Sequence, residues 1–125
     1  MIVPARKHER PARTLEPSTA RAVSDLKDRL ERHFGRRLAG VFVYGSRARG
    51  NHRPDSDVDV AVAFSGEVGD LLDLDDQLID IAYPIQLETG LYIQLWALEA
   101  AALSNPDGHR RAQIAEAVLR DGVAV

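Results

Sequence analysis

Two short segments in the middle of the chain could together hold a phosphate and a metal ion. Gly45-Ser46 follows an apolar run, and after ten further residues Asp57-Val58-Asp59 opens a second apolar run. A glycine turn lets backbone N–H groups approach a phosphate closely. Two carboxylates that lie two residues apart on a strand point to the same face and suit a hard cation such as Mg²⁺. The spacing therefore predicts a site for a magnesium-bound nucleoside triphosphate.

Neighbouring side chains could strengthen such a site. The Ser46 hydroxyl can contact a terminal phosphate, and Arg47 or Arg49 can add charge-assisted hydrogen bonds. The competing interpretation is a surface turn followed by a strand whose polar face is acidic by chance. Repulsion between two exposed like charges, with no cation between them, counts against that interpretation.

The composition restricts the class of protein. The chain has 125 residues, a net charge of −3 and no cysteine, which suits one domain without disulfides or cysteine-bound zinc. No global positive field is present, so direct nucleic-acid binding is not expected. No apolar run approaches the roughly 20 residues of a membrane span, and no secretory signal is recognisable, so a cytoplasmic protein is expected.

Apolar periodicity predicts helices alternating with three strands. In chain order these are a helix over 18–34 capped by Ser18 or Thr19, a strand over 38–44, a helical turn over 46–50, a strand over 58–64, a helix over 68–83 ended by Pro84, a strand over 91–98, and a helix that starts near Ser104-Asn105-Pro106 and ends at Gly122. Three apolar strands with intervening helices predict a small α/β layer, in which the helices pack against one sheet.

The domain organisation is simple. Residues 1–17 contain three prolines among four basic residues and are expected to form a flexible basic N-terminal tail, or alternatively a partner-binding arm. Residues 18–125 are expected to form a single domain. The leucine-rich helix over 68–83 leaves a homo- or hetero-oligomer open, because its apolar side chains exceed what one core needs.

The stretch YGSRARGNHRPDSDVDVAV resembles the signature of the minimal nucleotidyltransferases (MNT proteins) of the DNA polymerase β superfamily, G-S-x10-D-x-D. The preceding helix, the third strand and the ending AEAVLRDGVAV are also similar to these proteins. The resemblance implies a nucleotidyltransferase fold like the polymerase β palm, which is a small mixed sheet flanked by helices.

The resemblance also implies an activity. Family members transfer a nucleoside monophosphate from a nucleoside triphosphate such as ATP, usually with two Mg²⁺ ions. Small members often act as antitoxins paired with a HEPN-family ribonuclease toxin, and some add AMP to a tyrosine of that toxin. The residues that the resemblance assigns to nucleotide binding are Gly45, Ser46, Arg47 and Ser56, and those assigned to metal binding and catalysis are Asp57 and Asp59.

One position departs from the family pattern. The family has a third carboxylate on the next strand, where this sequence has Gln94. Glu88 and Glu99 flank that strand and are possible substitutes. A neutral amide is a weaker Mg²⁺ ligand and a poor general base, so nucleotide binding is expected to survive better than transfer. The alternative function is therefore a catalytically impaired module that neutralises a toxin by binding it.

Three further side chains have two interpretations each. Tyr92 and Trp96 share the Gln94 face of their strand and could line a base pocket, although ordinary packing is the simpler role. His52 could contact a phosphate or be a solvated loop residue. A third class, the antibiotic-modifying nucleotidyltransferases, is less expected. These proteins need an additional domain to hold their acceptor, and 125 residues leave no room for one.

Overall fold

A mixed four-stranded β-sheet organises residues 15–125, the part of the chain that the computed structural model describes. Residues 1–14 of the tail that was expected over 1–17 lie outside the described residues. Leu15 packs in the core and Pro17 begins α1, so the end of the expected tail belongs to the domain. The elements are α1 (Pro17–Phe34), β1 (Leu38–Tyr44), α2 (Ser46–Arg49), β2 (Val58–Phe64), α3 (Leu71–Thr89), β3 (Ile93–Glu99), α4 (Ala112–Asp121) and β4 (Val123–Ala124).

The strands lie in the order β3-β2-β1-β4. β1 is antiparallel to β2 and to β4, whereas β2 is parallel to β3. Helices pack on both faces of this sheet, which confirms the fold class expected from the sequence. Because β2 is a central strand, each of its residues has one neighbour on β1 and another on β3.

The two faces of the sheet carry separate cores. Val58, Val60 and Val62 point to the face that α1 and α3 cover. Ala61 and Ala63 alternate with them and pack on the other face, under α4 and the 3-10 turn that precedes it. Because side chains alternate along a strand, Asp57 and Asp59 belong to this second face. Asp57 is exposed and Asp59 is half-buried, so the α4 layer leaves the start of β2 accessible.

The start of α1 differs from the sequence prediction. The N-cap residue is Glu16 and Pro17 occupies the first helical turn, so neither Ser18 nor Thr19 caps the helix. Proline suits this position because its missing N–H would have no partner in the first turn. Thr19 is instead fully buried, and Leu15 also packs in the core.

The prediction that Pro84 ends the third helix is wrong, because α3 continues to Thr89. Pro84 lies on the exposed side of the helix, where water can reach the carbonyl that loses its amide partner. Ala82 and Ile85 on the opposite side are buried, and their packing maintains the helix through the proline. Among residues 15–125, neither α3 nor any other helix combines the length and apolarity that crossing a bilayer requires.

The C-terminal part of the fold also corrects the sequence prediction. Ser104-Asn105-Pro106 begins a series of turns rather than a helix, and α4 starts at Ala112. Asn105 accepts a hydrogen bond from the backbone N–H of Asp107, a local side-chain turn that competes with helix formation. The third strand is shifted to Ile93–Glu99. The fourth strand was not predicted, because its two residues are too short to show a period.

Candidate active site

Gly45 makes the turn between β1 and α2 in a conformation that other residues rarely adopt. Its φ is +78°, in the region that favours glycine. A Cβ atom at this position would collide with the Asp59 carboxylate. The backbone of the glycine turn and the acid of β2 are therefore in direct contact, as the sequence spacing predicted.

A row of three polar side chains crosses the sheet at this point. Tyr44 pairs with Asp59 in the β1–β2 register, and Gln94 pairs with Asp59 in the β2–β3 register. Directly paired positions in a sheet point to the same face, so Asp59 lies between the phenol and the amide. The structure thus places Gln94 beside Asp59. This is the residue that the sequence analysis matched to the third carboxylate of the family pattern.

The two possible substitutes for a third acid lie elsewhere. Glu99 is five residues beyond Gln94, about 16 Å along the strand, and binds Arg110. Glu88 is exposed in the last turn of α3 and interacts electrostatically with Arg29 of α1. Neither glutamate joins the two aspartates.

The site has an unfavourable excess of negative charge. Burial raises the pKa of the Asp59 carboxyl, the charge of Asp57 raises it further, and Arg49 partly opposes both effects. Burial and the Asp59 charge together raise the pKa of Tyr44 to about 12. A cation between the carboxylates would relieve this repulsion.

Arg47 has a different environment from the phosphate contact that the sequence suggested. Its side chain is buried, and its guanidinium donates to the backbone carbonyls of Ser56 and Pro54 at 3.0 and 3.2 Å. It also donates to the Thr19 hydroxyl at 3.0 Å. Arg47 therefore joins α1 to both ends of the turn that precedes Asp57, and its position supports a structural role.

Arg49 is the motif arginine on the accessible side. Its side chain is 42% exposed and donates to the Asp121 carboxylate at 2.9 Å. It is also close enough to Asp59 to oppose the rise in the pKa of that acid. Of the two α2 arginines, Arg49 is the one that can reach a bound phosphate.

The remaining motif residues divide between structural and accessible positions. Ser46 is half-exposed in the first turn of α2, and its hydroxyl has no hydrogen-bond partner within residues 15–125. Ser56 accepts a hydrogen bond from the Arg53 backbone N–H at 2.8 Å, which fixes the turn before Asp57. His52 faces Glu16 at 2.9 Å and is not a freely solvated side chain.

The two aromatic side chains of the β3 segment also differ. Trp96 is half-buried and packs beneath the Arg111 guanidinium, whose central carbon lies 5.1 Å from the ring centroid. Tyr92 is 60% exposed, and its carbonyl accepts a hydrogen bond from the N–H of Val58. Trp96 therefore has the packing role, whereas Tyr92 lies open beside the start of β2.

The donor set fits one hard divalent cation. Asp57 and Asp59 supply two carboxylates and Gln94 adds a neutral oxygen. The charge of Asp57 contributes, after burial, to the raised pKa of Asp59. Within the described residues no group of three His, Cys, Asp or Glu side chains is arranged to hold a metal. The arrangement therefore suits a single ion, which substrate phosphates would help to hold, better than two ions.

Two contributors to the site were missed in the sequence. Tyr44 immediately precedes Gly45, so antiparallel pairing of β1 with β2 would have placed it next to Asp59. Thr19 was interpreted as a helix cap, although it anchors Arg47. Only the packing of α1 against the motif loop shows that contact, and no local signal in the sequence indicates it.

Comparison with known proteins identifies a domain family and a structural neighbour. A model of the nucleotidyltransferase domain matches residues 23–119. The crystal structure of a candidate nucleotidyltransferase from Sulfolobus solfataricus is similar, with 18% identity, a TM-score of 0.48, and coverage of 87% of this chain and 86% of that chain. No curated protein sequence matches the chain. The family model spans most of the chain and includes every motif residue discussed above, so this chain belongs to the nucleotidyltransferase domain family.

Proposed function

We propose that this chain is a minimal nucleotidyltransferase that transfers AMP from ATP to a tyrosine hydroxyl of a protein partner, with Mg²⁺ at Asp57 and Asp59. The partner is proposed to be a HEPN-family toxin, which makes this chain an antitoxin. Membership of the nucleotidyltransferase domain family supports nucleotidyl transfer. The nucleotide, the acceptor and the antitoxin role are the proposal.

The contact between the Gly45 turn and the Asp59 carboxylate is the observation that carries the proposal. A phosphate held by the backbone N–H groups of this turn would lie next to carboxylates that could hold a cation. In the reaction the acceptor oxygen attacks the α-phosphorus, the bond to the bridging oxygen breaks, pyrophosphate leaves, and the acceptor proton passes to solvent. A bound Mg²⁺ would neutralise the charge that develops on the phosphates.

Gln94 supports a second candidate function. An amide beside Asp59 cannot act as the base that removes the proton from the acceptor hydroxyl. It also offers no negatively charged ligand to a second metal ion. A chain that binds nucleotide but transfers poorly would neutralise its partner by covering it. The two functions differ in whether the partner becomes covalently modified.

The first experiment tests transfer. The purified chain, the product of the neighbouring reading frame and ATP labelled on the α-phosphate should give a labelled partner. Replacing both acids (Asp57→Asn with Asp59→Asn) should reduce the label at least about a thousandfold, because both metal ligands lose their charge. The matched control is Asp55→Asn, an exposed acid of the same loop, which should retain the label. Undiminished label in the double variant contradicts the metal assignment.

The second experiment separates enzyme from binding module. Gln94→Asp restores a third carboxylate beside Asp59. If the natural chain already labels its partner, the enzyme function holds. If label appears only with Gln94→Asp, while the natural chain still inhibits the partner by binding, the binding module is the correct description.

A further inference from the structure

Helix α3 exposes a continuous apolar stripe. Four of the five large apolar side chains that are exposed in residues 15–125 lie on this helix. They are Leu72, Ile79, Tyr83 and Leu87, which are 70%, 49%, 56% and 68% exposed. Their spacings of seven, four and four residues keep them on one side of the helix, over about 22 Å. A stripe of this kind is typical of a helix that packs against another element.

The charged residues of helix α3 itself are all acidic. Helix α3 contains no lysine or arginine, and Asp73, Asp76 and Asp80 are exposed along the same side. None of these three forms an ion pair with another described residue. The surface therefore combines apolar area with acids that are not held in ion pairs.

The neighbouring helix shows that this pattern is not general. The exposed side of α1 carries charges of both signs, such as Arg21, Asp28 and Arg32, and no large apolar side chain. An ordinary solvated helix surface looks like α1. The exposed residues of α3, by contrast, include no lysine or arginine and include four large apolar side chains.

The charge pattern selects the occupant. Pairing the stripes of two copies of this chain would bring two rows of aspartates together, and like charges in contact oppose association. A helix with an apolar face flanked by lysine or arginine satisfies both the leucines and the aspartates. We infer that α3 is the docking surface for a protein partner that presents such a basic amphipathic helix.

The location of the stripe connects docking with the candidate active site. Asp75 and Gln86 of α3 bind backbone N–H groups of β3 at Ala97 and Ile93, so the helix follows the edge strand. Leu87 is near the turn that leads to Tyr92 and Gln94. A partner on the stripe would lie beside the Gln94 side of the site, and taking that partner to be the acceptor rests on the proposed function.

The test uses two labelled helical peptides of about 18 residues with identical leucine positions, one flanked by lysines and the other by glutamates. Fluorescence anisotropy with the full chain should detect binding of the lysine peptide only. Leu72→Ser with Leu87→Ser should weaken that binding at least about tenfold, because two apolar contacts are lost. Asp76→Asn with Asp80→Asn should remove most of its salt dependence.

Matched controls keep the test specific. The α1 pair Asp28→Asn and Glu31→Gln changes exposed acids outside the stripe and should leave the affinity unchanged. The Asp57→Asn, Asp59→Asn variant should bind the lysine peptide normally, so a failure of transfer is distinguishable from a failure of docking.

Three outcomes would overturn the inference. Equal affinity for both peptides would remove the role of charge. A dimer in sedimentation that Leu72→Ser with Leu87→Ser dissociates would make a second copy the occupant. A gain in peptide affinity of about tenfold on deletion of residues 1–14 would make the chain's own basic segment the occupant.

Discussion

The sheet has two charged regions that compensate negative charge in different ways. The α4 end is the outer edge of β3, where α3 meets α4, and the motif end is the start of β2. At the α4 end, the Asp75 carboxylate accepts two hydrogen bonds from Arg111 at 2.6 and 2.8 Å and one from the Ala97 backbone N–H. At the motif end, Asp59 lies between Tyr44 and Gln94, with Asp57 adding repulsion. One acid is fully compensated by the protein, and the other is not.

The difference separates stability from function within one small sheet. The Asp75–Arg111 pair closes the outer edge of β3, since Arg111 also donates to the Ala97 carbonyl at 3.0 Å. It thereby protects an edge strand and joins α3 to α4. The motif end retains negative charge that Arg49 opposes only in part, which is the typical condition of a functional site. Neutralising an acid should therefore have opposite consequences at the two ends.

The largest effect is expected at the α4 end. Asp75→Asn should lower the free energy of unfolding by about 3 kcal/mol, because it leaves the Arg111 guanidinium without its buried counter-charge. Urea unfolding measures the change. The matched control is Asp76→Asn on the exposed side of the same helix, which should stay within about 0.5 kcal/mol of the wild type. Equal destabilisation by both variants would contradict the contrast between the two ends.

The next effect concerns the motif end and is a loss of binding. Gly45→Ala places a Cβ against the Asp59 carboxylate and should weaken magnesium-nucleotide binding about 100-fold, or about 2.7 kcal/mol. Gly50→Ala is the control, because Gly50 has nearly the same φ of +79° but no atom within 4 Å of its Cβ position. Both variants bear similar backbone strain of about 1–2 kcal/mol, so a shared loss of affinity would attribute the effect to strain alone.

The features of this molecule that the sequence predicts are those that depend on local properties of the chain. β1 and β2 were predicted to the residue, because buried strands are continuous apolar runs bounded by turn residues. The proximity of Gly45 to Asp59 follows from the sequence spacing, since glycine conformation and strand alternation are local properties. Strand pairing then brings Gln94 beside Asp59.

Features that depend on tertiary contacts could not be predicted in this way. The helix α3 passes through Pro84 because Ile85 packs in the core, and packing is invisible to a local rule about proline. Arg47 and Arg49 are equivalent in the sequence motif, both being basic residues of α2. Contacts with Thr19, which is distant in the chain, and with the carbonyls of Ser56 and Pro54 distinguish the buried arginine from the accessible one.

The two α2 arginines give the third prediction. Arg47→Gln should destabilise the fold by about 2 kcal/mol, because one buried and two partly buried hydrogen-bond acceptors lose the guanidinium donor. Arg49→Gln should change stability by less than about 0.5 kcal/mol, since its ion pair is partly exposed, and should weaken nucleotide binding about tenfold. Urea unfolding and calorimetric titration separate the two effects. If Arg49→Gln binds nucleotide as well as the wild type, Arg49 does not contact the phosphates.

The smallest expected effect is a gain in stability on neutralising Asp59, whereas neutralising Asp75 is expected to cause a loss. The pKa of Asp59 is raised in the folded protein, so the native state holds this proton more firmly than the unfolded chain does. Stability must then fall as pH rises from the ordinary aspartate value, about 4, through the raised value. Asp59→Asn removes this loss and should raise the Tm of the metal-free protein at neutral pH by about 2–5 °C, with no difference at lower pH where Asp59 is protonated.

Without ligand, the Tm of Asp59→Asn is expected to lie above that of the wild type. Magnesium with nucleotide should reverse this order, because a ligand that binds only the native state stabilises it by mass action. The wild type should gain Tm and the Asp59→Asn variant should not, so their melting curves should exchange places when both ligands are added. Thermal denaturation at neutral pH, with and without magnesium and nucleotide, provides the measurement. A variant that is less stable than the wild type without metal would mean that Asp59 contributes to the fold as Asp75 does, and the two ends of the sheet would then not differ in kind.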